Sequence, residues 1–141
     1  SQVYETALAM FGPDHPGTLQ SRLDSGAAMI DMGRVADGEK ILRDVLARLS
    51  SASDNHAIEP TVRVALARAL RSRSKLAEAL ALLPPACERQ YRNLGATGAI
   101  RCQNLTASIL IDLGRYRDAE SHLRGVLDDL RKNSREDDRL A

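Results

Sequence analysis

The chain has 141 residues, 43% hydrophobic and 28% charged, which fits a folded rather than a disordered chain, one domain or a piece of one. Aromatic residues make up 3% with no Trp, which argues against a β-sandwich or barrel and for packed helices with a Leu, Ala, Val and Ile core. Twenty basic against 19 acidic residues leave a net charge of +1, which lacks the footprint of a dedicated nucleic-acid binder, and no apolar run approaches the roughly 20 residues of a membrane span.

Residues 1–10 carry Val3, Tyr4, Ala7, Leu8 and Met10 and read as the end of a helix whose partner is missing. Phe11-Gly12-Pro13-Asp14-His15-Pro16 is turn chemistry, with Gly and Pro as punctuation and Asp expected to bond its own backbone. Helices are predicted near 17–32 and 35–50. In the second, Val35, Ile41, Leu42, Val45, Leu46 and Leu49 follow helical spacing. Ser53-Asp54-Asn55-His56 sits where the first linker would recur. The next helices are predicted near 57–73 and 76–92. Pro84-Pro85 falls inside the latter, and a kink or break is expected near Leu82 to Ala86, on an outer face. Gly95-Ala96-Thr97-Gly98 reads as the next turn, followed by helices near 98–113 and 116–132. The apolar-poor tail, Arg131 to Arg139, reads as a frayed end or linker.

The chain repeats itself. Met32-Gly33-Arg34-Val35-Ala36-Asp37-Gly38-Glu39, Arg73-Ser74-Lys75-Leu76-Ala77-Glu78-Ala79-Leu80 and Leu113-Gly114-Arg115-Tyr116-Arg117-Asp118-Ala119-Glu120 align. Gly33, Ser74 and Gly114 are 41 and 40 residues apart. Each would end one helix in the left-handed conformation. The acidic residue four places on, Asp37, Glu78 or Asp118, then falls in the first turn of the next helix, where the dipole favours it. Small residues recur twelve apart across each turn, in the pairs Gly26 with Gly38, Ala67 with Ala79, and Ala107 with Ala119. Two antiparallel helices approach closely at such pairs. Large apolar positions recur as Met29, Leu70 and Leu110, as Leu42, Leu83 and Leu123, and as Val45, Ala86 and Val126.

This pattern resembles the tetratricopeptide (TPR) repeat, in its longer kinesin-light-chain form, over about residues 1–133. Arg22, Ser25, Gln103 and Thr106 stand where the family prefers bulky apolar residues, and no terminal Pro follows the second helices. The resemblance implies an all-α solenoid of antiparallel helix pairs, a right-handed superhelix. Its parts would be the end of a preceding repeat at 1–10, repeats at 15–50, 56–92 and 97–132, and a charged tail at 134–141. It also implies a cytoplasmic interaction scaffold of a bacterial kind, cut from a longer protein, whose apolar repeat ends can self-associate. The alternative is the regulatory repeat region of a bacterial signalling kinase or transcription regulator.

Catalytic motifs do not survive inspection. Ser72-Arg73-Ser74-Lys75 fits S-x-x-K, but its Ser ends a helix and its Lys lies across a turn. The glycines at 95 and 98 lack the spacing and the preceding strand of a phosphate loop. His15, His56 and His122 are scattered; the first two share a linker position, where a turn role is expected. Asp128-Asp129 and Glu136-Asp137-Asp138 read as solvated charge runs. Cys87 and Cys102 have no CxxC spacing and no paired His, so reduced, buried thiols of a cytosolic protein are expected, with no disulfide framework and no zinc. No enzyme activity, cofactor or metal is expected.

What remains is a surface. In the family the first helix of each repeat lines a concave groove. By spacing, that stripe takes Gln20, Leu23, Asp24, Ala27, Ile30 and Asp31 from repeat one. It takes Thr61, Val64, Ala65, Arg68, Arg71 and Ser72 from repeat two, and Arg101, Asn104, Leu105, Ser108, Ile111 and Asp112 from repeat three. Binding is expected at Gln20, Asp24, Arg68, Arg71, Arg101, Asn104 and Ser108. Guanidinium forks suit carboxylates and Asn can bond a peptide backbone, so the expected partner is an extended or acidic peptide or protein. The competing reading is that the arginines are solvated or pair with Asp24, Asp31 and Asp112. Neither nucleic acid nor a membrane is an expected partner.

Overall fold

The turns at Gly33, Ser74 and Gly114 are built alike in the computed structural model. Their φ angles are +86°, +61° and +77°, all left-handed. Arg34 N–H reaches back to the Met29 carbonyl, Lys75 N–H to Leu70 and Arg115 N–H to Leu110, each at 2.8 Å. The preceding N–H groups, of Gly33, Ser74 and Gly114, bond the carbonyls of Ile30, Arg71 and Ile111. This satisfies the carbonyls a helix end otherwise leaves bare. Ser74 alone adopts the geometry with a Cβ, which is costly for an L residue. Ser74→Gly is therefore expected to raise stability by about 1 kcal/mol, read as a higher urea midpoint with an unchanged slope.

The structure describes residues 2–51 and 56–140, the side chains of 50, 51, 56 and 136–140 excepted. The helices are α1 (Gln2–Phe11), α2 (Pro16–Asp31), α3 (Val35–Ser51), α4 (Glu59–Ser72), α5 (Leu76–Gly98), α6 (Ile100–Asp112) and α7 (Tyr116–Leu140). A 3-10 turn at His56–Ile58 leads into α4. The predicted linker residues Ser53, Asp54 and Asn55 lie outside the described residues. The chain forms an all-α helical-repeat fold in two compact units, residues 1–75 and 76–141, and within each unit consecutive helices pack against one another.

In the first unit α2 packs against α1, α3 and α4. Its N-cap is His15, whose Nδ1 accepts from Gly17 N–H at 3.0 Å while the ring stacks on Phe11. That fits the turn role expected of His15. Asp14 takes the Arg48 guanidinium across from α3, at 2.9 Å, so the linker is tied to the helix pair as well as to itself. The pair Gly26 and Gly38 brings α2 and α3 into backbone contact, since a Cβ at Gly38 would lie 2.8 Å from the Gly26 carbonyl oxygen. Leu42, Val45 and Leu49 of α3 are fully buried.

In the second unit α6 packs against both α5 and α7. Ala79, Leu83, Ala86, Ala107 and Ala119 are buried there, as their repeat positions demand. Three expectations need correction. Cys87 and Cys102 are not thiols: they form a disulfide joining α5 to α6, with Cα atoms 5.4 Å apart. The reading as buried apolar residues holds, but the thiol argument for a cytosolic location falls. Second, the helix does not break at Pro84-Pro85. The dihedral break in α5 comes at Gly95, with φ 76° and ψ −174°. Both prolines are exposed, so the carbonyls they leave without donors can turn to water. Third, the tail is not frayed, because α7 runs on to Leu140. It has no Gly or Pro beyond Gly125, and an Arg131–Asp128 pair supports the start of the extension.

Candidate functional site

Calling α2, α4 and α6 the leading helices, the predicted binding residues fall on their exposed sides. In the first unit Gln20 and Asp24 of α2 and Arg68 and Arg71 of α4 are all exposed. Gln20 Nε2 donates to Asp24 Oδ1 at 3.1 Å. Arg68 Nη2 lies 3.5 Å from Asp31 Oδ1, which bridges the two helices. The pairing reading therefore holds for Arg68, and α2 and α4 share a face with carboxylates on one helix and guanidiniums on the other. Both partners of that bridge are more than half exposed, so it is worth well under about 1 kcal/mol and yields easily to a ligand. In the second unit α6 presents Arg101 and Asn104 to solvent, with Ser108 half-buried one turn on.

Two charge networks in the first unit were not anticipated. In one, Arg22 Nη1 donates to the Tyr4 hydroxyl at 2.8 Å and its Nε lies 3.5 Å from Asp44. Asp44 also accepts from Arg48, which reaches on to Asp14. Those two carboxylates raise the Arg48 pKa, through hydrogen bonds first and charge second. A residue that departs from the apolar family pattern is thus accommodated by polar partners on α1 and α3.

In the other, Glu39 of α3 is 8% exposed and receives Arg43 at 3.2 Å, Arg73 at 3.0 Å and Lys75 at 3.3 Å. Burial alone would push its carboxyl up. The hydrogen bonds from Arg43 and Lys75 and the charges of Arg73 and Lys75 outweigh that and hold it below its ordinary 4.5. The network joins α3 to the turn after α4. A depressed carboxylate contributes stability that is present above the unfolded pKa and is lost as pH falls through the folded one. Glu39→Gln is expected to cost about 2 kcal/mol at pH 7. The gap between variant and wild type should close as pH drops below about 4.5, which urea unfolding at stepped pH measures.

The enzyme-like motifs take structural places. Ser72 is the last residue of α4, and Lys75, on the far side of the turn, is engaged by Glu39. The glycine pair at 95 and 98 forms the passage from α5 to α6. Among the described residues no group of three or more His, Cys, Asp and Glu could hold a metal ion. No described helix is long and apolar enough to cross a membrane. Gln103 Oε1 and His122 Nε2 are buried without a hydrogen-bond partner among the described residues.

No family model and no curated protein matches the sequence. Among solved structures, the chain is similar to a Podosopora anserina protein described as a kinesin light chain of nearly identical TPR-like repeats. The two superpose over 95% of this chain and 84% of that one, with a TM-score of 0.56 and 18% sequence identity. The fold is that of TPR-like repeats. At that identity the likeness concerns architecture, so which TPR-like surface is used must be argued from the residues it exposes.

Proposed function

We propose that this TPR-like chain is a protein-interaction module that takes an extended or acidic peptide on the exposed α2–α4 face of its first unit. The observation that carries this reading is the α2–α4 face, where Arg68 and Arg71 stand exposed and Arg68 is held by one solvent-exposed carboxylate. A peptide carboxylate can replace Asp31 at little cost, and a guanidinium fork then bonds it through two N–H groups. Arg101 and Asn104 offer the same chemistry on α6, with Asn104 suited to a backbone amide.

Selection of a random peptide library on the purified chain tests this. Enrichment of Asp, Glu or a free C-terminus is expected. The double charge reversal Arg68→Glu and Arg101→Glu should abolish or invert that preference. Peptides that bind the reversed chain unchanged would place the site elsewhere.

A further inference from the structure

The turn that follows α4 departs from its two repeats. It carries Arg73-Ser74-Lys75 where the others carry Met32-Gly33-Arg34 and Leu113-Gly114-Arg115. In those copies the last residue is taken up by the helix it leads into. Arg34 Nε and Nη2 both donate to Asp37, and Arg115 Nε donates to Asp118. Lys75 turns to Glu39 instead. Its Nζ lies 3.3 Å and 3.4 Å from the two carboxylate oxygens, and Arg73 Nη1 lies 3.0 Å from one of them.

Glu39 is a buried carboxylate on which Arg43, Arg73 and Lys75 converge, and one negative charge cannot neutralise three positive ones. It fixes where Arg73 and Lys75 stand, while each of those side chains keeps 39% exposure. Arg73 spends only Nη1 on it. Its Nε and Nη2 form the edge that Arg34 uses on Asp37, and here they have no partner among the described residues. Lys75 has a third N–H beyond the two aimed at Glu39. Between the two cations Ser74 is exposed, and its hydroxyl has no partner among the described residues. Ser74 is also left-handed, with φ +61°, where both other copies have Gly. A residue held at such a conformational cost points to a use for its side chain.

From this we infer that the Arg73-Ser74-Lys75 turn binds a phosphate group. A phosphate monoester is close to dianionic at neutral pH and offers three strong acceptor oxygens. The Nε–Nη2 fork of Arg73 bonds two of them, and Ser74 Oγ and Lys75 Nζ donate to the third. A carboxylate has two oxygens and one charge, so it satisfies the fork alone. Because Glu39 already holds both cations in place, little side-chain freedom is lost on binding. The site uses neither Arg68 nor Arg101. Charge reversal at those residues leaves it intact, so this inference and the peptide reading can fail separately.

Inorganic phosphate is the probe, titrated into the isotope-labelled chain by NMR at constant ionic strength, with acetate as the control. Shifts centred on the amides of Arg73, Ser74 and Lys75 are expected with phosphate and should be weaker with acetate. Arg73→Met, which installs the side chain of the first copy, should weaken binding about tenfold. Ser74→Gly should unfold at higher urea yet bind phosphate about threefold more weakly. Stability and binding then move in opposite directions, which damage to the fold does not produce. A phosphoserine peptide and a sugar phosphate separate the sources: tighter binding of the peptide assigns a phosphorylated polypeptide, and equal binding assigns a small phosphate ester. Shifts at the turn no larger than those with acetate overturn the inference. So does equal phosphate affinity in the wild type, Arg73→Met and Ser74→Gly.

Discussion

Breaking the Cys87–Cys102 bond is expected to destabilise residues 76–141 by about 3 kcal/mol. The bond closes a separation of 15 residues, and removing such a link returns roughly that much conformational freedom to the unfolded chain. The enclosed segment includes the Gly95 break, so the bond ties α5 to α6 across a point where the helix is interrupted. Hydrogen exchange with and without reductant should show lost protection in α5 and α6 and little change in α2 and α3. The repeat also suggests a rescue. Positions 87 and 102 correspond to Leu46 and Val62 in the first copy of the interface. Cys87→Leu with Cys102→Val should therefore retain more stability than Cys87→Ser with Cys102→Ser. Equal protection in the oxidised and reduced chains would show that the bond is incidental to the fold.

The same correspondence explains why that bond was not legible. Each cysteine sits where another copy carries an apolar residue, so burial accounted for both, and a spacing of 15 matches no motif. What could be read was local and repeated. The turns at Gly33, Ser74 and Gly114 announce themselves because a left-handed residue needs Gly or tolerates little else, and three copies agree. Pro84-Pro85 was read on the right face but misled about a break, because at an exposed position the carbonyls freed by proline can turn to water and the helix runs on. Glu39 was silent for a related reason. Glu120 holds the equivalent place in the third copy yet is exposed and paired only along its own helix with Arg124. What separates them is the basic turn Arg73 to Lys75, which tertiary packing brings to Glu39 across more than thirty residues. The residues proposed for binding were legible as an exposed face, while the Arg68–Asp31 bridge between α2 and α4 belongs to the packing.

Gly38→Leu should cost about 3 kcal/mol or more, because the nearest obstacle is backbone. A Cβ at Gly38 would lie 2.6 Å from Ile30 Cγ1 and 2.8 Å from the Gly26 carbonyl oxygen. Ile30 can change rotamer, but the carbonyl moves only with α2. The helix pair must therefore separate, and that opens the buried contacts of Leu42, one turn on from Gly38 and 3.1 Å from where a Cβ on Gly26 would sit. Gly38→Ala meets the same carbonyl with less bulk, and it gains about 1 kcal/mol of helix propensity. A net loss of about 1 kcal/mol is expected there. Gly125 of α7 is the control, since a Cβ on it would meet nothing within 4 Å. Gly125→Ala should stabilise by about 0.5–1 kcal/mol through propensity alone. Urea unfolding of the three variants then separates close approach from propensity. If Gly38→Ala stabilised the chain as much as Gly125→Ala, the small pair at 26 and 38 would not be what sets the spacing of α2 and α3.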